Sequence, residues 1–312
     1  MVLFGACVGA LEHFWRSRSL APALVDDAGL WAQERSRVYE PGAVVLVGAS
    51  RLQLGIHLET LRRKLPGRPI VQLAIDGTLC DPVLEDLARD PDFRGTVLVS
   101  WLPFSSFPPD AAHEYLRTYH TAWGPAVRTE RALATWVQTH VTSLRPALSL
   151  PNALRTLGQT GELPRGPTHV VLGADRGRLA YYDRVPADRL AALRREVARR
   201  RVADEQVLEA SRGRSRQADA WAREIAKRGG RVVFLLMPLN DPEPGDPEEG
   251  LHVEDVFRAF AAEAESPTLD ATSIPVLAAF PLPDGSHLDG TDAPSFTELL
   301  VDELLRRKLL GD

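Results

Sequence analysis

The stretch Ala43-Val44-Val45-Leu46-Val47-Gly48-Ala49-Ser50-Arg51 decides the fold. It opens with a short, β-branched run that is apolar without interruption. Such a run suits a strand buried on both faces, the situation of strands in a parallel sheet. Gly-Ala-Ser then punctuates it, and Leu58, Leu61 and Leu65 repeat at three and four residues, the spacing of a helix face, until Pro66-Gly67. PIVQLAI (69–75) reads as a second buried strand, DPVLEDLARD (81–90) as a second helix and TVLVSWL (96–102) as a third strand. Strand, helix, strand, helix, strand at this spacing predicts a doubly wound α/β sheet.

Outward from this unit the pattern changes twice. Upstream, Asp26 and Asp27 are placed to cap a helix over residues 28–38, which Pro41-Gly42 stops. Downstream, residues 103–185 hold PFSSFPPD, the helix-like TERALATWVQTHVTSL (129–144), turns rich in Pro and Gly, and one short strand in HVVLGAD (169–175). Residues 186–228 are a charged helical pattern, either one helix or two broken near Ser211-Arg212-Gly213. We therefore expect residues 1–40 to be an N-terminal helical segment and 41–312 to be one α/β domain, with a helical insertion at about 103–228 that caps or walls the site. RVVFLLMPL (231–239) is the fourth buried strand, and TLDAT (268–272) and IPVLAAF (274–280) compete for the last. A final helix follows Asp292 and Pro294, with Phe296, Leu299, Leu300 and Leu304 as its apolar stripe.

Composition excludes several function classes. The 312 residues are 44% hydrophobic and 25% charged, ordinary for a globular chain, and the net charge of −5 gives no basic excess for nucleic acid. The densest basic cluster, Arg194 to Arg201, is a solvated helix face rather than a polyanion site. Two cysteines, Cys7 and Cys80, lie too far apart in the pattern to suggest a disulfide. Neither they nor His57, His113, His120, His140, His169 and His252 show metal-ligand spacing. VLVGAS lacks the glycine pattern of a dinucleotide site. We expect no metal and no organic cofactor. The apolar start MVLFGACVGAL, followed by Arg16 and Arg18, is too short to span a bilayer, which needs about 20 apolar residues. It reads either as a buried N-terminal helix or as the trailing end of a membrane anchor, and only the second would make the protein membrane-associated.

Two motifs carry chemistry. Ser50 stands where the first strand hands over to a helix, beyond the carboxyl end of the strand, where open α/β sheets bind ligands. Free N–H groups at a helix start also suit a developing oxyanion. The alternative is that Ser50 caps the helix. Far downstream, Asp284-Gly285-Ser286-His287 sets a carboxylate and an imidazole three residues apart in a glycine loop. A carboxylate so placed holds the imidazole tautomer, leaving the other ring nitrogen to take a proton from a hydroxyl. The alternative is an ordinary turn with an exposed His.

Taken together, GAS after the first strand, Gly77 in AIDGT after the second, and the run FPLPDGSHLDGTDAPSFTELLVDEL (280–304) resemble the SGNH/GDSL hydrolase superfamily. The likeness covers 43–101 and 231–309. It implies a three-layer α/β/α, flavodoxin-like domain. It also implies Ser50 as nucleophile, His287 as general base, Asp284 as its orienting partner, and the N–H groups of Ser50 and Gly77 as the oxyanion hole. The Asn that the family places after its third strand is missing, since Ser100-Trp101-Leu102-Pro103 stands there. That departure resembles divergent branches that include O-acyltransferases of bacterial polysaccharides and cell-envelope glycans. Arg51, Trp101 and Asn240 are candidate substrate-binding residues, although packing or turn roles suit each of them, and Tyr181-Tyr182 is a further candidate for the pocket wall, with core or interface packing as its default reading. The expected activity is ester hydrolysis through an acyl-serine, on a small acyl ester or an acylated glycan. Acyl transfer to a glycan and a non-catalytic binding module stand as the alternatives.

Overall fold

The computed structural model describes residues 2–102, 110–199, 205–239 and 253–311. In chain order these form α1 (Val2–Ser17), α2 (Ala28–Arg35), β1 (Val44–Val47), α3 (Ser50–Gly55), α4 (Leu58–Lys64), β2 (Ile70–Gln72), α5 (Asp81–Arg89) and β3 (Thr96–Ser100). There follow α6 (Asp110–Ala122), α7 (Pro125–His140), α8 (Leu150–Thr160), the hairpin of β4 (Val170–Leu172) and β5 (Arg178–Ala180), and α9 (Ala187–Arg199). α10 (Glu205–Lys227), β6 (Arg231–Leu236), α11 (Val253–Glu263), β7 (Thr268–Asp270), α12 (Pro275–Ala278) and α13 (Ala293–Arg306) come last.

The architecture is α/β. Five parallel strands form a central sheet in the order β2-β1-β3-β6-β7, with helices on both sides. Side chains alternate across a strand, so each apolar run feeds two cores at once. Val45, Val47, Val71, Val97, Val99 and Phe234 pack with Leu84 and Leu87 of α5, Ala222 and Ile225 of α10, and Phe257 of α11. Their neighbours Val44, Leu46, Ile70, Leu98, Val233 and Leu235 pack on the other face with Leu52, Leu61, Phe296, Leu300 and Leu304. This explains why the strands read as continuous rather than alternating, because neither face meets water. Each such side chain contributes about 1.5–3 kcal/mol of burial. Strand order reverses between β1 and β3, and that reversal opens a crevice at the carboxyl ends of the strands.

Several boundaries differ from the sequence reading. The 28–38 helix ends at Arg35, and Asp27 rather than Asp26 caps it by accepting the Leu30 N–H at 2.9 Å. The predicted break near Ser211-Gly213 is absent, as α10 runs through all three residues and the two helices separate before Glu205. α10 is also not part of an insertion. It packs on α5 and β6 and sends Ala218, Ala222 and Ile225 into the sheet core. TLDAT supplies β7, whereas IPVLAAF supplies α12. Leu299 leaves the expected apolar stripe and is exposed. The N-terminal helix is not buried: among its described side chains Val8, Leu11 and Phe14 face solvent while only Trp15 is covered. Among the described residues no helix is long and apolar enough to cross a membrane. Cys7 and Cys80 are both free.

Candidate active site

Strand β1 delivers Ser50 to the crevice through a turn that admits no bulk. A Cβ on Gly48 would meet the Ser100 Cβ at 2.9 Å, so glycine lets the chain pass close to β3 before it enters α3. Ala49, in extended conformation, is the N-cap and has no side-chain capping bond. Ser50 is thus the first helical residue and does not cap. Its Oγ lies 2.8 Å from His287 Nε2.

The partner loop is built around a buried carboxylate. Asp284 Oδ1 accepts the N–H of Ser286 and of His287, each at 2.8 Å, which closes the turn. Gly285 takes φ +87°, a conformation that favours glycine. The other oxygen, Oδ2, lies 2.7 Å from His287 Nδ1. Burial opposes the charge on Asp284, but the hydrogen bonds from His287, Tyr182 and the Ser286 N–H, together with the His287 charge, outweigh it and hold the carboxyl at about 2. An ionised Asp284 requires a proton on Nδ1, so in the neutral ring Nε2 is unprotonated and accepts from Ser50.

Tyr182 follows the packing reading of Tyr181-Tyr182, but its bond to the site was not foreseen. It does not line a pocket; it is buried, and its hydroxyl donates to Asp284 Oδ2 at 2.7 Å. Burial and the neighbouring Asp284 charge push the phenol well above its usual range, so it remains a donor. Tyr182 lies just past the β4–β5 hairpin, which is stitched to the loop twice more. Asp289 Oδ2 accepts the Tyr182 N–H at 2.8 Å, and the Gly290 N–H donates to the Ala180 carbonyl at 2.6 Å. The insertion therefore supplies part of the wall around the Asp–His pair. Arg194 of α9 adds a bond from Nε to the Pro283 carbonyl at 2.6 Å. The loop residue Asp289 was visible in sequence, but its partner 107 positions away was not.

The remaining candidates divide. Arg51 Nε donates to Ser286 Oγ at 3.0 Å, so it braces the loop beside Ser50. Gly77 has φ +69° in the turn after β2. The Ile75 N–H donates to the Gly48 carbonyl at 3.0 Å, so Gly77 and Ser50 each stand two residues beyond that rung on adjacent chains. Trp101 is fully buried and lines no site. It packs edge-on against Phe234 at 5.8 Å and tilted against Phe260 at 5.8 Å, beneath the Arg214 guanidinium at 4.7 Å. Its backbone continues the β3–β6 pairing through a 2.9 Å bond to the Leu235 carbonyl, which turns the ring into the sheet core. Asn240 lies outside the described residues. Arg176, in the turn between β4 and β5, is fully buried and acts as a strut. It pairs with Asp26 at 2.6 Å and donates to the carbonyls of Gln72 and Ala74 at the end of β2, both at 2.9 Å. Among the described residues no group of three or more His, Cys, Asp or Glu is placed to hold a metal ion.

Ser50, His287 and Asp284 thus form an unbroken hydroxyl–imidazole–carboxylate relay, brought together by the sheet from positions more than two hundred residues apart. No protein-family model matches the chain, and no curated protein is significantly similar to it.

Proposed function

We propose that the chain is a serine-dependent ester hydrolase that acts on O-acyl esters through an acyl-serine intermediate. The observation that carries this reading is the relay itself, with 2.8 Å from Ser50 Oγ to His287 Nε2 and 2.7 Å from Nδ1 to Asp284. In this reading His287 removes the Ser50 proton as Oγ attacks the ester carbonyl, and the imidazolium that forms is held by Asp284. The tetrahedral intermediate collapses, His287 returns the proton to the departing alcohol, and the acyl group stays on Ser50. Water, deprotonated by His287, then releases the acid and restores the hydroxyl. The Ser50 and Gly77 N–H groups are the proposed oxyanion donors, supported by their matched positions on adjacent chains. Each such donor is worth about 10² to 10³ in rate, so two keep the reaction fast without the Asn that the family places after its third strand.

The resemblance to SGNH/GDSL hydrolases supports the same assignment. So does the doubly wound sheet, whose five strands run 2-1-3-4-5 when counted along the chain, the flavodoxin-like order. The test is turnover of 4-nitrophenyl acetate with and without added glycan hydroxyls. A hydrolase releases nitrophenol and acetate equally in both conditions. Faster release with the glycan, together with acetylated glycan, marks the transferase alternative. No release above buffer in either condition overturns acyl-serine chemistry.

A further inference from the structure

Among the described residues, most of the large apolar side chains that are exposed gather on three helices outside the sheet domain. On α8, Leu150, Leu154 and Leu157 are spaced by four and three residues and form one stripe, with Leu150 72% exposed. On α1, Val8, Leu11 and Phe14 repeat every three residues. α7 adds Leu133 and Trp136, 62% and 60% exposed. These helices make one body. Trp15 of α1 and Ala153 of α8 share a small core with Leu20 and Leu148. Glu12 accepts the N–H of Thr142 and Ser143, just past α7, at 2.8 and 2.9 Å, and Arg16 donates to the His140 carbonyl at 2.7 Å. Leu11 and Val8 lie one and two turns before Trp15 on α1, and Leu150 and Leu157 flank Ala153 on α8, so the exposed stripes continue directly from the edge of the small core.

The charge of this body runs against that of the chain. Residues 2–20 and 125–167 contain seven arginines against three glutamates, in a chain of net charge −5; Arg131, paired with Asp27, and Arg145 are buried, which leaves five arginines to reach the surface. Arg16, Arg128, Arg155 and Arg165 are exposed; Arg16 pairs with Glu12 and Arg165 with Glu162. At the end of α1 an open cavity of about 620 Å³ is lined by Arg18, Arg165 and Arg184 with the Ser17 and Ser19 hydroxyls, and by no carboxylate. Arg18 is fixed there by bonds to the Leu163 and Pro164 carbonyls at 2.9 and 3.0 Å.

Apolar stripes that include Trp and Phe, interleaved with arginine, are the composition of a surface that lies in a bilayer interface. A basic excess selects anionic headgroups. We propose that the α1–α7–α8 body docks on an anionic lipid surface, its leucine and aromatic side chains entering the acyl boundary while its arginines meet lipid phosphates. This inference does not depend on the chemistry assigned to Ser50.

The test is flotation of the full chain with vesicles of phosphatidylcholine alone or mixed with phosphatidylglycerol. Binding to the mixed vesicles is expected to be stronger by about tenfold or more and to weaken as salt is raised. The triple variant Trp136→Ser, Leu150→Ser, Leu154→Ser should lose at least about tenfold in binding while melting with the wild type, because these side chains are exposed. Arg128→Glu with Arg155→Glu should remove the preference for the anionic vesicles, and it tests the proposal even where the serine variant proves unstable. Failure to bind either vesicle, or unchanged binding by both variants, overturns the proposal. So does a wild-type dimer in sedimentation that the serine variant dissolves, since a second copy would then cover the face.

Discussion

The sheet domain and the α1–α7–α8 body are built on opposite rules. In the sheet every apolar run is buried on two faces, and the polar groups at the strand ends are bonded to one another: Ser50 to His287, His287 to Asp284, Asp284 to Tyr182. In the helical body Leu133, Trp136 and Leu150 are turned outward, and the core beneath them is a handful of side chains. The difference separates stability from contact. One region fixes a reactive geometry by being closed, and the other holds a surface available by being open.

If the comparison holds, the largest effects come from the site at the sheet end. Ser50→Ala or His287→Ala should lower ester turnover by about 10⁴ or more, to the level of buffer, as expected for residues acting as a unit. Serine substitutions on α7 and α8 should leave turnover of a soluble ester unchanged. Asp284→Asn should cost about 10² to 10⁴ in kcat/KM with the fold intact, because it spoils the tautomer that Nδ1 must carry.

Stability should divide along the same line. Leu46→Ala, in the middle of β1, should cost about 2–5 kcal/mol in urea unfolding, whereas Leu154→Ala should stay within about 0.5 kcal/mol. A loss above about 2 kcal/mol for Leu154→Ala would show that this leucine is packed and would erase the contrast.

Two smaller effects concern Asp284. Its carboxyl is held at about 2, below the ordinary value of 3.8, so its charge stabilises the fold above about pH 4. That contribution, about 2 kcal/mol, should drain away as pH falls from 4 towards 2. Asp284→Asn should lack this part of the acid dependence, and unfolding at pH 5 and pH 2.5 measures it. Tyr182→Phe removes one of the donors that lower Asp284. We expect a loss of about tenfold in kcat/KM, in line with about 1.5 kcal/mol for a hydrogen bond to a charged group. The acid-side loss of stability should also be smaller than in the wild type and complete at a higher pH, a change that a purely packing role for the ring would not produce.

Much of the fold was legible because parallel strands announce themselves. Val44–Val47, Thr96–Ser100 and Arg231–Leu236 lie in continuous apolar runs, and each became a strand of the central sheet. The Asp284–His287 pair was legible because its geometry is local, a carboxylate and a ring closed by one glycine turn. Tyr182 was not, since nothing in a Tyr-Tyr pair says that its hydroxyl meets a carboxylate 102 residues later. Gly213 misled for a physical reason. A Cβ there would meet nothing within 4 Å, so the glycine sits on an open side of α10 and breaks no helix. Trp101 follows its packing reading rather than its candidacy for the site, because the pairing with β6 runs one residue further and the ring lies in the sheet core. The apolar N-terminus was expected to be either buried or an anchor, and it is an exposed helix tied down by Trp15, Glu12 and Arg16.

The central claim is that the Ser50 hydroxyl is activated by His287. The most direct measurement is labelling of the full chain with a fluorophosphonate, followed by peptide mapping. The account predicts one modified residue, Ser50, with labelling abolished in Ser50→Ala and slowed at least about a hundredfold in His287→Ala. An unlabelled wild-type chain, or a label on Ser50 that forms equally fast without His287, would contradict it.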